Sequence, residues 1–420
     1  MRRLLYVCLD GLGDDPHPDL GNRTPLEAAA TPFLDDLAAR GRNGLVRTVG
    51  PDIAPESDIA VFAILGYDPA DQHPGRGVLE ALGSGMAFED GDLAHRVNFA
   101  TQEDGRIVDR RVGRDLPSDE ARALADEVTG TVTLANATFE LRPTVEHRGA
   151  LVIRSTEGPL SAEVSNTDPA YAKRGSLGVA LETFEDEVAW AEALVDTEAA
   201  ERAAELTNAF VRESAGVLEA SETNARRRAE GRLPANLILT RDAGDHRPRL
   251  TPIRERFGPS WGCFVEMPVE RGIALALGMG EVPAPSWPDP EERYAAWASL
   301  SAEALGGYYA LYVHIKGPDV PAHDGRAEDK RDVIEVIDRA FFGQVLPAID
   351  PSEVLLAVTA DHATSCLRKA HTADPVPLLV CGPGVRGDGV TSFGERAAAD
   401  GSIGTIRGVD ILPRLVALLR

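Results

Sequence analysis

The sequence predicts an α/β protein built on one doubly wound, mostly parallel sheet, with a smaller α+β lobe inserted into it. Three features carry this prediction. Short apolar runs stop abruptly at turns rich in acids, histidines and glycines, stretches of helical period lie between them, and a tract in the middle of the chain alternates apolar and polar residues. Runs of the first kind mark strands buried on both faces of a parallel sheet, whose carboxyl ends line a site.

The first run, Leu4 to Leu9, ends at Asp10-Gly-Leu-Gly-Asp14. The second, Leu237 to Thr240, ends at Arg241, and the third, Tyr308 to Ile315, ends at Lys316-Gly-Pro-Asp319. The fourth, Val354 to Thr359, leads to Asp361-His362, and the fifth, Val376 to Val380, leads to Cys381-Gly-Pro-Gly384. Thr31 and Pro32 open a helix that Gly41 closes. Val333, Ile334, Ile337 and Phe341 set a helical period over Asp329 to Leu346, and a last helix runs from Asp410 to Leu419. From Asp92 to Glu187, segments such as HRVNFAT, RIVDRR, TFELRP and GALVIRS alternate, as antiparallel strands with one wet face do. A helical stretch from Phe184 to Ala220 returns the chain. The expected division is therefore a core of 1–91 and 221–420 with an inserted cap of 92–220.

A chain of 420 residues is too long for one ordinary core, and 43% hydrophobic with 26% charged residues are globular values. The formal charge of −24 excludes nucleic acid and anionic membrane surfaces as partners, because polyanions would be repelled. It also means that a small anionic substrate requires positive charge gathered locally. Lysine occurs only at positions 173, 316, 330 and 369, and the acidic excess is compatible with a salt-rich cytoplasm. Cys8, Cys263, Cys366 and Cys381 form no C-x-x-C pair and read as reduced thiols of a cytoplasmic protein. The opening MRRLLYVCLDGLGD meets an acid too early for a signal peptide and reads as a first strand. A homo-oligomer is left open.

Chemistry concentrates in the C-terminal third, in Asp319-Val-Pro-Ala-His323, Asp361-His362 and His371. Carboxylate and imidazole together suit Zn²⁺ or Mn²⁺, and the set is larger than one ion can use, so two ions are implied. Asp10, at the end of the first strand, can join them at one sheet edge. Any one of these acids alone would more often be a turn or helix cap; their joint placement after apolar strands favours metal. Ser57, in APESDIA before the helical run IAVFAILG, would sit at a positive helix N-terminus. Its plain alternative is an N-cap serine. As a nucleophile it would be activated by metal, without a Ser-His-Asp triad.

These residues resemble the archaeal type of cofactor-independent phosphoglycerate mutase, a branch of the alkaline phosphatase superfamily. The similarity runs nearly end to end, through DGLGD, RTPLEAAATPFLDDLA, PESDIA, LGYDP, GRGVLEALG, NFAT, DRRVGR, VSNTDP, PANLILTR, HIKGPDVPAHDG and ADHATSCLRKAHTADPVPLL. The resemblance implies an alkaline-phosphatase-type core, with one ion on Asp10, Ser57, Asp361 and His362 and the other on Asp319, His323 and His371. Mn²⁺ is the expected metal, with Zn²⁺, Co²⁺ or Mg²⁺ as alternatives. It implies that Ser57 takes the phosphoryl group of 3-phosphoglycerate, and that the bound glycerate reorients and leaves as 2-phosphoglycerate while the inserted lobe keeps water out. Arg241, Arg271, Lys316 and the DRRVGR arginines Arg110, Arg111 and Arg114 are the candidates for holding the anionic substrate. Asp14, His95, His147 and Arg148 are weaker ones. Glu56 and Ala322 stand where the family pattern has glycine. Rival readings are a phosphatase or another phosphoryl-transfer enzyme on the same scaffold, and a noncatalytic metal-binding protein.

Overall fold

The apolar runs become the middle of an eight-stranded sheet. Its order is Gly280–Glu281, Trp261–Phe264, Ala310–Ile315, Arg3–Leu9, Val354–Thr359, Val376–Cys381, Arg42–Arg47 and Gly404–Arg407. The computed structural model describes residues 2–174, 177–181, 183–283, 285 and 287–420. Ala310–Ile315, Arg3–Leu9 and Val354–Thr359 run parallel as neighbours, and the latter pairs in register through Leu5 with Leu356 and Val7 with Val358. Leu4 to Leu9 are fully buried, as a strand covered on both faces requires. The sheet and the helices between its strands form an α/β unit of Met1–Gln72 with Leu250–Arg420.

One expected parallel strand proves otherwise within this sheet. Val376–Cys381 runs antiparallel to both neighbours, Val354–Thr359 and Arg42–Arg47. A continuous apolar run records burial on both faces and carries no information about direction. The helix Pro32–Arg40 forms as expected, but Thr31 gives it no side-chain cap; the distant Asp338 carboxylate accepts from the backbone amides of Leu34 (2.8 Å) and Phe33 (3.2 Å) instead.

The second unit, His73–Arg249, is wider on both sides than the 92–220 expected for the insertion. Its antiparallel sheet holds Arg106–Asp109, Leu93–Glu103, Arg148–Ser155 and Ala137–Pro143, with Leu237–Gly244 also paired to Leu93–Glu103. Leu237–Gly244, read from the sequence as a parallel core strand, therefore belongs to this unit and runs antiparallel, with Val97 facing Thr240 and Phe99 facing Ile238. The helices Ser118–Thr131 and Glu198–Glu219 cover the sheet through Leu124, Val128, Phe210, Val211 and Leu218. The helix predicted from Phe184 begins only at Glu198, where the Thr197 hydroxyl accepts from Ala200 N. Among the described residues no helix is long and apolar enough to cross a membrane.

Candidate metal centre

Three adjacent parallel strands end at one rim, and that register gathers the site. Asp10 follows Arg3–Leu9, Lys316 follows Ala310–Ile315, and Asp361-His362 follow Val354–Thr359. The loops interlock: Asp10 N donates to Ile315 O at 2.9 Å, and Gly11 N donates to Asp361 Oδ1 at 3.1 Å. The single turn Asp319–His323 places its first and last residues on one face, as i,i+4 spacing must. His371 comes back on the hairpin of Ala363–Ser365 with Ala370–Thr372.

Two sets of donors result. Asp319 Oδ1 lies 3.4 Å from His323 Nε2 and 3.8 Å from His371 Nε2, and the two Nε2 atoms are 3.2 Å apart. Backbone carbonyls can only accept, so His371 Nδ1 donates to Pro55 O (2.8 Å) and His323 Nδ1 to Lys369 O (3.4 Å). Both Nε2 lone pairs then face each other and a carboxylate, an arrangement that a cation stabilises and that is repulsive without one. In the second set, His362 Nε2 stands 3.1 Å from Ser57 Oγ, 3.2 Å from Asp361 Oδ2 and 3.5 Å from Asp10 Oδ1. Asp10 Oδ1 and Asp361 Oδ2 are buried and have no hydrogen-bond partner. Orphaned carboxylate oxygens at such depth call for positive charge. The donor chemistry thus fits two divalent ions, with both sets inside the first unit.

Electrostatics point the same way. Burial and the neighbouring Asp10 push the Asp361 carboxyl up to about 7, so without a cation the two acids resist ionising together. Burial would raise Asp10 as well, but Lys316 and His314 hold it below the ordinary carboxylate range. Burial lowers His362 well below the usual imidazole value, which keeps the ring neutral as a ligand must be. Lys316 Nζ bridges the sets, 2.8 Å from Asp10 Oδ2 and 2.8 Å from Asp319 Oδ2.

Ser57 is the first residue of the helix Ser57–Ile64 rather than its cap, which is Glu56, and its hydroxyl faces His362. The methyl of Ala322 packs into a small cluster with Leu20, Ala327 and Cys366, so that departure from glycine is accommodated.

The candidate arginines are placed differently. Arg241, expected at the metal edge, lies in the second unit because its strand does, nearly buried with its guanidinium 3.6 Å from the centre of the Tyr171 ring. Arg110 makes a two-point pair with Asp168 at 2.7 and 2.6 Å. Together with Arg111, Arg114, Phe184 and Asp186 it lines a cavity of about 470 Å³ in that unit. Arg271 is held by Glu281 at the sheet edge through bonds of 2.7 and 2.9 Å. His95 donates from Nε2 to Thr207, whose own proton goes to Ala203 O, a structural role. Asp14 pairs with the buried Lys330 at 2.9 Å.

Sequence reasoning missed several residues. His314, inside a fully buried strand, meets Asp10 Oδ2 at 2.9 Å and the Tyr312 hydroxyl at 2.8 Å. Arg96 is buried with Nε and Nη1 lacking hydrogen bonds, and burial with the nearby Arg241, Arg76 and Arg148 lowers it to about 9. Glu80 is the acid among them, 3.3 Å from Arg76 and 3.9 Å from Arg96. The buried Arg96 thus sits among guanidinium ions with one acid near them, a local concentration of positive charge in the second unit. For Arg96 itself the local signal is the polar residue inside the apolar alternation of HRVNFAT.

Fold and site together define a metalloenzyme whose strand ends present two neighbouring sets of carboxylate and imidazole donors, and residues 282–415 match the metalloenzyme superfamily. Residues 38–224 match the family of 2,3-bisphosphoglycerate-independent phosphoglycerate mutase. A protein of that name from Aeropyrum pernix is 42% identical over 99% of both chains, and one from Thermococcus kodakarensis is 37% identical over 100% of this chain and 97% of its own. A solved structure from Pyrococcus horikoshii superimposes with a TM-score of 0.80 at 32% identity, covering 100% of this chain and 97% of the other. The cofactor-independent phosphoglycerate mutase of Thermoplasma acidophilum gives 0.64 at 32% identity, with 100% of both chains covered. The chain belongs to the 2,3-bisphosphoglycerate-independent phosphoglycerate mutase family.

Proposed function

We propose that this chain interconverts 3-phosphoglycerate and 2-phosphoglycerate without 2,3-bisphosphoglycerate, passing the phosphoryl group through Ser57. The observation that carries the reading is the Ser57 hydroxyl, held 3.1 Å from His362 Nε2 at a helix start and inside a cluster of metal donors. Asp10, Ser57, Asp361 and His362 would hold one divalent ion and Asp319, His323 and His371 the other. When bound, such ions lower the hydroxyl pKa and neutralise the phosphoryl oxygens. Mixed carboxylate and imidazole ligation suits Mn²⁺ or Zn²⁺, and Mn²⁺ is the ion this reading takes from the family resemblance.

Ser57 gives up its hydroxyl proton as its Oγ attacks phosphorus, the bond from phosphorus to the 3-oxygen breaks, and that oxygen takes up one proton and leaves as a glycerate hydroxyl, giving phosphoserine. The 2-hydroxyl of the turned glycerate then attacks phosphorus and restores the serine. Lys316 contributes positive charge where the two donor sets meet. The second unit would bind the substrate, with Arg241, Arg76, Arg96 and Arg148, and the Arg110, Arg111 and Arg114 cavity, supplying the local positive charge that a protein of net charge −24 requires for a small anion. Four free, buried cysteines support a cytoplasmic setting.

The test is metal-loaded protein with 3-phosphoglycerate and no bisphosphoglycerate, any 2-phosphoglycerate being consumed by enolase. Activity is expected with Mn²⁺, is lost with chelator, and is absent in Ser57→Ala. Normal turnover in that variant would remove Ser57 from the mechanism; free phosphate without 2-phosphoglycerate would make the protein a phosphatase.

A further inference from the structure

Each histidine of the site is oriented through Nδ1, but the three orienting partners differ in kind. For His323 and His371 the partner is a backbone carbonyl, of Lys369 and Pro55 respectively. For His362 it is a side chain, the Thr364 hydroxyl at 3.1 Å. That hydroxyl also lies 2.7 Å from Asp319 Oδ1. A threonine has one proton to give and an ionised carboxylate can only accept, so the proton goes to Asp319. Thr364 Oγ1 must then accept, and His362 Nδ1 must donate. The ring is thereby fixed with its Nε2 lone pair toward Ser57, Asp361 and Asp10.

We infer that Thr364 is a positioning residue that locks the tautomer of His362 and links the two ion sites through the chain His362 Nδ1–H, Thr364 Oγ1–H, Asp319 Oδ1. The inference rests on the two-ion reading of the site. His362 belongs to the donor set with Asp10 and Asp361, and Asp319 to the set with His323 and His371, so one hydroxyl touches both. Its own freedom is small. Thr364 N donates to Gly13 O at 2.9 Å, its carbonyl accepts from the buried Lys330 at 2.9 Å, and its backbone pairs with His371 across the hairpin. Gly11 packs close to Oγ1 too, since a Cβ added there would stand 2.6 Å from it. Partners of metal-bound histidines raise affinity by holding the ring in its binding tautomer and orientation. Thr364 differs from the two carbonyls in that a substitution can remove it.

The experiment titrates the chelated full-length protein with Mn²⁺ by calorimetry, as wild type, Thr364→Val and Thr364→Ser. Wild type binds two equivalents. Thr364→Val weakens both by about tenfold to a hundredfold, the range for lost orienting partners, whereas Thr364→Ser, which keeps the hydroxyl, stays close to wild type. Nitrogen NMR of labelled histidines in the metal-free proteins gives a second readout: His362 carries its proton on Nδ1 in wild type and the serine variant, and populates both tautomers in the valine variant. If the valine protein melts lower than wild type in chelator, Thr364→Ala, which adds no methyl against Asp319, must show the same two effects. Wild-type affinity for both ions in the hydroxyl-free variants overturns the role of Thr364, and weakening of a single ion overturns the link. A wild type that binds fewer than two ions overturns the two-ion reading and this inference with it, an outcome distinguishable by the protein in which it appears.

Discussion

Lys330 lies in a run, Glu328-Asp-Lys-Arg-Asp332, that reads as a solvated helix face, yet its side chain is fully buried. Its ammonium meets Gly13 O, Asp14 Oδ2 and Thr364 O at 2.9 to 3.0 Å, so all three protons are used. Asp14 is satisfied in turn, accepting from Lys330, Asp15 N and Cys366 N. The pair ties the loop after Asp10 to the hairpin bearing His371, and Asp14 thus supports the site from below. Removing one partner of a buried ion pair strands the other, so Lys330→Met is expected to cost about 3–5 kcal/mol, read from urea unfolding. Wild-type stability in that variant would show the pair to be dispensable. Gly11 is equally constrained: its φ is +62°, and an added Cβ would meet Thr364 Oγ1 at 2.6 Å and Asp319 Oδ1 at 2.7 Å. Gly11→Ala should therefore weaken Mn²⁺ binding by displacing Asp319, and calorimetry that shows unchanged affinity would contradict the placement.

At the level of elements, the second unit depends on two helices packed on an antiparallel sheet. Phe210, on the helix Glu198–Glu219, is fully buried and meets Phe139 edge-on with ring centroids 5.2 Å apart. Phe210→Ala should lower stability by about 3–5 kcal/mol, the usual cost of emptying an aromatic site in a core. Chemical denaturation with proteolysis of the second unit checks this, and equal protease resistance would count against it. The helix starts late because Thr197 supplies the cap and Glu198 and Glu201 supply acids for the first turn. The apolar residues before it, Phe184, Trp190 and Leu194, fall in the stretch that the sequence predicts as helical, yet they are exposed in an irregular segment. Apolar spacing alone did not distinguish the two.

For the whole molecule, charge and buried histidines set the response to solution conditions. Burial lowers His95 to about 3, and burial with nearby arginines lowers His147 to about 3, both from 6.5. The folded values lie below the unfolded one, so below pH 6.5 the unfolded chain binds protons that the folded chain refuses. Stability from these two groups is fully present above pH 6.5 and declines as pH falls toward 3. A melting temperature that drops through this window, and drops less in His95→Gln, is the expected result; a flat profile would be the contrary one. A net charge of −24 also repels itself, so added KCl should raise the melting temperature by screening.

The sequence by itself determined the α/β class and the apolar strands that Asp10, Lys316, Asp319, Asp361 and His362 follow, and it singled out Asp10, Ser57, Asp361 and His362, and Asp319, His323 and His371, as two groups whose members lie close together in the structure. These were legible because a buried strand announces itself by a continuous apolar run, and the residue after it must lie at the sheet's edge. Tertiary structure alone decided strand direction at Val376–Cys381, the transfer of Leu237–Gly244 and Arg241 to the second unit, and the burial of Lys330, Arg96 and His314. Direction and partner choice come from contacts between segments hundreds of residues apart. A buried polar side chain is spelled no differently from an exposed one until its distant partner is known.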